Sequence, residues 1–172
     1  MKELIKKIFG GKKEAGPAVA ELLGGLSEEY TVFSSMIYDN SEIGYVVFSR
    51  RQGLFVINTR KDKGEITYNG SHLLINKKPK SDPIKKALKD TFWLRATIKE
   101  RTGIDVPITP LVIFENARVK VGGPIIGVNA LESNNLIDTI TQAPEKKALE
   151  DGVVMLLREL HGTYTINYIS SV

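Results

Sequence analysis

Two periods of apolar residues run along this chain, and the points where one gives way to the other mark its elements. In residues 1–13, Leu4, Ile5, Ile8 and Phe9 fall at helical spacing among Lys2, Lys6 and Lys7. That pattern predicts a short basic amphipathic helix, docked on the domain, frayed at the chain end or resting on a membrane surface. From Gly16 to Glu29, Val19, Leu22, Leu23 and Leu26 form a second helical stripe, with Pro17 suited to the first turn. "YTVFSSMIY" (Tyr30 to Tyr38) then reads as a strand by its β-branched and aromatic content. "IGYVVFS" and "LFVINTR" are two more, close enough across Arg50-Arg51-Gln52-Gly53 to form an antiparallel hairpin. "EITYNGSHLLI" is a second hairpin, because Asn-Gly favours the turn that joins twisted strands.

The longest periodic segment, Asp82 to Thr102, predicts a helix entered by Asp82-Pro83 and closed by Gly103. Its predicted buried face carries Ile84, Ala87, Leu88, Thr91, Phe92, Arg95 and Ile98. "PLVIFEN" (Pro110 to Asn116) is an apolar run between turn residues. After a long helix, such a run is expected to lie parallel to an earlier strand. "VGGPIIGV" predicts a loop with a short strand. Asn134 to Thr141 and Pro144 to Leu160 predict helices, the second stopping at His161-Gly162, and "TYTINYI" a terminal strand or extended tail. This order predicts an α/β domain with a mixed central sheet flanked by helices, running from residue 14 to 172 behind the basic N-terminal segment.

Composition narrows the chemistry. The 172 residues suffice for one real core. There is no cysteine, so disulfides, thiolate metal sites and thiol catalysis are excluded. No apolar run reaches the length of a membrane span, and the N-terminus lacks a secretory cleavage pattern, so the cytoplasm is the expected location. The net charge of +4 is unevenly placed: Lys77 to Arg101 holds nine basic against three acidic residues, which suggests a one-sided basic surface. His72 and His161 have no partners at metal or triad spacing. Trp93, between Phe92 and Leu94, is expected in the core. "VKVGGPIIGV" lacks the Lys-Ser/Thr ending of a phosphate loop.

Taken in order, "AGPAVAELLGGLSEEYTVF", "IGYVVFSRRQGLFVINTRKDKGEI", "DPIKKALKDTFWLRATI" and "PLVIFEN" resemble the nuclease-related domain (NERD) family over roughly Ala15 to Thr141. The resemblance implies a restriction-endonuclease-like fold and a Mg²⁺-dependent nuclease site. That site would draw a Glu from the first helix, an Asp from the first hairpin strand, Glu-x-Lys from the second strand and a Gln from the long helix. Carboxylates suit a hard cation, which polarises phosphate and helps generate hydroxide.

The chain departs from the family pattern at each position. Pro17 stands for the Glu, Gly44 for the Asp, Asn58 and Arg60 for Glu-x-Lys, and Lys86 for the Gln. Glycine has no side chain to ligate, asparagine offers one neutral oxygen, and arginine stays protonated and cannot act as a base. Losing even two of these three carboxylates forfeits on the order of several kcal/mol of attraction to a divalent ion.

Two accounts of Asn58 and Arg60 stay open: a cleft that holds nucleic-acid phosphate without cutting it, or a relic whose Arg60 pairs with a nearby carboxylate. The first would use a basic face of Arg50, Arg51, Arg60, Lys61, Lys63, Lys85 and Lys86 to bind DNA or RNA, with no cofactor. A third account moves the ligands: Glu21 and Glu42, with Lys61 or Lys63, would rebuild a Mg²⁺ nuclease. A protein-interaction or scaffold domain is the remaining alternative.

Overall fold

A computed structural model describes the chain over residues 16–170. The expected helix of residues 1–13 lies outside the described residues. Helix α1 (Val19–Gly24) leads into β1 (Tyr30–Tyr38), β2 (Ser41–Ser49) and β3 (Gly53–Tyr68). A small hairpin, β4 (Leu73–Ile75) and β5 (Lys78–Pro79), precedes α2 (Asp82–Thr102). Then come β6 (Ile108–Lys120), β7 (Asn129–Glu132), α3 (Leu136–Thr141) and α4 (Asp151–Ser170).

The 16-residue β3 is the spine of a seven-stranded mixed sheet. Its first five residues pair antiparallel with β2, its last residues pair antiparallel with β4, and β6 runs parallel beside it along nearly its whole length. The parallel pairing of β6 agrees with the expectation for "PLVIFEN", although the strand extends well beyond that run. Alternation along β3 sorts the two faces. Leu54 and Val56 join the core under α2 and α4, with Leu94, Ile98, Val153 and Leu157. Phe55 and Ile57 face α1 and α3, with Val19, Leu23, Leu136 and Ile140. Farther along the α2 face, Ile84 and Ala87 pack on Val112 and Phe114. This α/β arrangement, a mixed sheet with helices on both faces, is the restriction-endonuclease-like architecture expected. Among the described residues no helix is long and apolar enough to cross a membrane.

The tight turns follow local chemistry. Asp39-Asn40 and Asn76-Lys77 each join two strands with positive φ at both central positions, as a type I′ turn requires. Gly53 (φ 90) closes the β2–β3 connection, where an added Cβ would lie 2.6 Å from the Pro107 carbonyl oxygen. In β1 the alternation breaks at Ser35 (φ 55), so Phe33, Met36 and Tyr38 all reach the same core.

Several expectations are corrected. The first helix covers only Val19–Gly24, because Gly24-Gly25 ends it early and Ala18 supplies no side-chain cap. The bounds of α2 are as predicted, but its buried face is turned by roughly 60° at 100° per residue. Asp90 and Leu94 are buried, whereas Phe92 and Arg95 face solvent. The last helix starts at Asp151, since the backbone N–H groups of Lys146 and Leu149 donate to Arg51 and Arg50 and hold that segment on the β2–β3 turn. It continues past Gly162 through Ser170, so "TYTINYI" is helical backbone and not a strand or extended tail. Burial of Val153, Leu156, Leu157 and Leu160 anchors this helix, which outweighs one glycine's propensity cost.

Candidate functional site

A cleft of about 420 Å³ opens between β2, β3 and the first turns of α2. Glu42, Gly44, Asn58, Arg60, Asp82 and Lys86 are among the residues that line it. Asn58 and Arg60 arrive together because they lie two apart on the α2-facing side of β3. Lys86 arrives because α2 crosses that face directly after its Pro83 entry.

At the head of the cleft lies a residue that sequence reasoning missed. Asp90 is fully buried, and both its oxygens are engaged. Tyr38 Oη donates to Oδ1 at 2.5 Å, Asn58 Nδ2 donates to Oδ2 at 3.0 Å, and Lys86 Nζ donates to Oδ2 at 2.6 Å. Lys86 Nζ also donates to the Glu42 carbonyl oxygen at 2.7 Å, so the ammonium spans strand and helix. Burial, followed by the adjacent Asp90 carboxylate, raises the Tyr38 pKa and keeps the phenol a donor. The Tyr38 ring stacks on Trp93 with centroids 4.2 Å apart. The available signal was the i, i+4 spacing of Lys86 and Asp90 beside the apolar stripe.

Arg60 is committed elsewhere. Its Nε donates to Asp62 Oδ1 at 2.7 Å and its Nη2 to Oδ2 at 3.2 Å, a forked pair. The guanidinium holds the Asp62 carboxyl below its ordinary pKa, against a smaller opposing effect of burial. A one-residue bulge in β3 follows Arg60, between its pairings with Phe114 and Asn116.

The remaining sequence candidates do not assemble here. Pro17 and Glu21 belong to the α1 end of the chain, and α1 packs on the opposite face of the sheet. Lys61 also faces that side: its Nζ lies 2.7 Å from Glu115, whose other oxygen accepts from the Val19 backbone N–H. Glu42 accepts from Ser35 Oγ at 2.8 Å. Glu21 and Glu42 are thus on different walls of the domain, and the expectation that they would form one relocated site is not met. Among the described residues no group of three or more acidic or histidine side chains is placed to hold a metal ion.

The expected basic face is divided as well. Arg50 pairs with Asp151 and Arg51 with Glu145, at the far end of β3. Arg60 lies seven strand positions beyond Gly53, about 23 Å. Of the seven named basic residues, Lys63 and Lys85 are exposed and have no ion pair among the described residues.

The donor set does not fit the divalent cation that a nuclease of this pattern would need. Gly44 contributes nothing, and a Cβ there would stand 3.0 Å from the Ile57 carbonyl oxygen, too tight for a carboxylate without backbone movement. The Asn58 amide donates to Asp90 through Nδ2, and Asp90, the buried carboxylate beside this cleft, already holds an ammonium. His72 is exposed, and His161 Nε2 lies 2.7 Å from the Ser34 carbonyl oxygen, a structural contact.

Comparison with curated proteins found no match, and neither did comparison with solved structures. A family model described as the nuclease-related domain matches residues 11–115, which takes in α1, the β1–β5 region, α2 and β6 up to Glu115. That match spans more than half of the chain, and it includes every departed position from Pro17 to Lys86: the chain belongs to the nuclease-related domain family.

Proposed function

We propose that this nuclease-related domain binds nucleic acid without cutting it, holding phosphates along the lysine-rich edge beside the cleft. One observation carries the reading: the Lys86 ammonium, 2.6 Å from the buried Asp90 carboxylate, supplies in place the positive charge that a divalent ion would otherwise bring. A protein ammonium balances charge but cannot lower the pKa of a bound water as a metal does. The cleft therefore keeps a polar interior and lacks hydrolytic chemistry.

The neighbouring edge supports binding. Asn76 Nδ2 donates to the Lys63 carbonyl oxygen, which sets Lys63 against the tip of the β4–β5 hairpin. Lys77 sits in that tip, and Lys78 and Lys80 lead from it into α2 and Lys85. All five lysines are exposed. Asp62, the nearest carboxylate on β3, is already neutralised by Arg60. Such a surface attracts phosphates with little sequence preference.

The test is anisotropy of labelled DNA and RNA across a salt series, with plasmid cleavage followed in Mg²⁺ and Mn²⁺. Lys78→Glu and Lys85→Glu are expected to weaken binding, each lowering the salt slope by about one or more. No cleavage is expected in either metal. Absence of binding at low salt, or metal-dependent cleavage abolished by Glu42→Ala, would overturn the proposal.

A further inference from the structure

Phe92 is 63% exposed although it lies in the middle of the longest well-packed helix. A lone exposed apolar residue needs no special account. Its surroundings do. At 100° per residue, Lys85, Lys89, Phe92, Ala96 and Lys99 fall within an arc of about 80° on α2. All five are exposed, so the phenyl ring is the one large apolar group on a stripe whose long side chains are lysines. Lys89 lies one turn before Phe92 and Lys99 two turns after it, while Ala96 leaves the ring open on its C-terminal side. Asp82 and Glu100 only border the stripe at its two ends. From Lys85 to Lys99 the stripe runs about 21 Å, and its start is continuous with the lysine-rich edge at Lys80.

We infer that this stripe is a stacking platform for a single-stranded stretch of nucleic acid. Phe92 stacks on an unpaired base, and Lys85, Lys89 and Lys99 hold the flanking phosphates. A duplex offers the same phosphates but hides its base faces, so only an unpaired base gains from the ring. Combining basic side chains with an open aromatic face is the physical requirement for binding single strands with little sequence preference. The inference rests on the proposed function and narrows its ligand.

The test compares a labelled oligothymidylate with a duplex of equal length, at low and moderate salt, on the intact chain. Phe92→Ala removes little buried packing, since the residue is mostly exposed, so the fold should hold. It is expected to lower single-strand affinity by about 5- to 100-fold and duplex affinity by less than about twofold. Phe92→Trp should retain single-strand binding. A silent Phe92→Ala, or one that weakens both ligands equally, overturns the platform. So does a Phe92→Ala variant that changes the association state of the oligonucleotide-free protein in sedimentation, which would mark a protein contact instead. If the duplex still binds, and Lys78→Glu weakens it while Phe92→Ala is silent, the platform alone fails. If neither ligand binds at low salt, the proposed function fails with it.

Discussion

Replacing Lys86 with methionine removes the charge that sits on Asp90 while keeping most of the side chain's volume. Taking one member from a buried ion pair costs about 3–5 kcal/mol, because the other charge is left without a partner. Two features reduce that figure here. The Lys86 side chain is 38% exposed, so water already weakens the pair and could enter behind the shorter methionine head. Asp90 also keeps the hydrogen bonds from Tyr38 and Asn58. Against that, Asp90 itself is wholly buried. The expected loss is about 2–3 kcal/mol, which for a domain of this size is a fall in Tm of about 5–10 °C. Urea or thermal unfolding at neutral pH measures it. The double variant Lys86→Met with Asp90→Asn should be more stable than the sum of the single losses predicts. A Tm within about 1 °C of the parent, or strict additivity in the cycle, would show that Asp90 does not depend on Lys86.

Other outcomes follow from the same contacts. Asp62→Asn leaves the Arg60 guanidinium without its carboxylate. The Asp62 pKa is lowered in the fold from the ordinary 3.8, so the pair's contribution is present above that value and lost as pH falls through the lower one. Urea midpoints of parent and variant should differ near pH 6 and converge at the acid end. Lys61→Gln should leave nucleic-acid binding unchanged where Lys78→Glu weakens it, since Lys61 lies on the other face of the sheet beside Glu115; anisotropy under one salt condition decides this. Gln52→Ala should cost about 2–3 kcal/mol in denaturant unfolding. The buried Gln52 amide donates to the Thr141 and Ala143 carbonyls and accepts from Tyr30 Oη, and all three would lose their partner. Gly53→Ala should cost at least about 2 kcal/mol, as φ is positive there and the Pro107 carbonyl occupies the space; a near-neutral result would mean that the β2–β3 turn can relax.

What the amino-acid order determined by itself is local. The bounds of α2 are legible in Asp82-Pro83 and Gly103, the hairpins in Asn69-Gly70 and Arg50 to Gly53, and the α/β order in the change of period. The missing metal ligands were also legible, since Gly44, Asn58 and Arg60 cannot do a carboxylate's chemistry in any fold. The rotation of α2 was not. Its apolar residues fit two faces about equally well, and the choice between Phe92 and Leu94 is made by the sheet on which the helix rests. That rotation buried Asp90 and exposed Phe92, so the candidate centre and the candidate platform both appeared only in three dimensions. The scattering of the basic residues has the same origin. Neighbours such as Arg60 and Lys61 point to opposite faces of β3, and carboxylates distant in sequence, Glu115 and Asp151, reach the cations that looked free. Helical and strand periods act over a few residues and can be read in order. Ion pairs depend on which surfaces the whole chain brings within a few ångströms, and only the packed sheet and helices decide that.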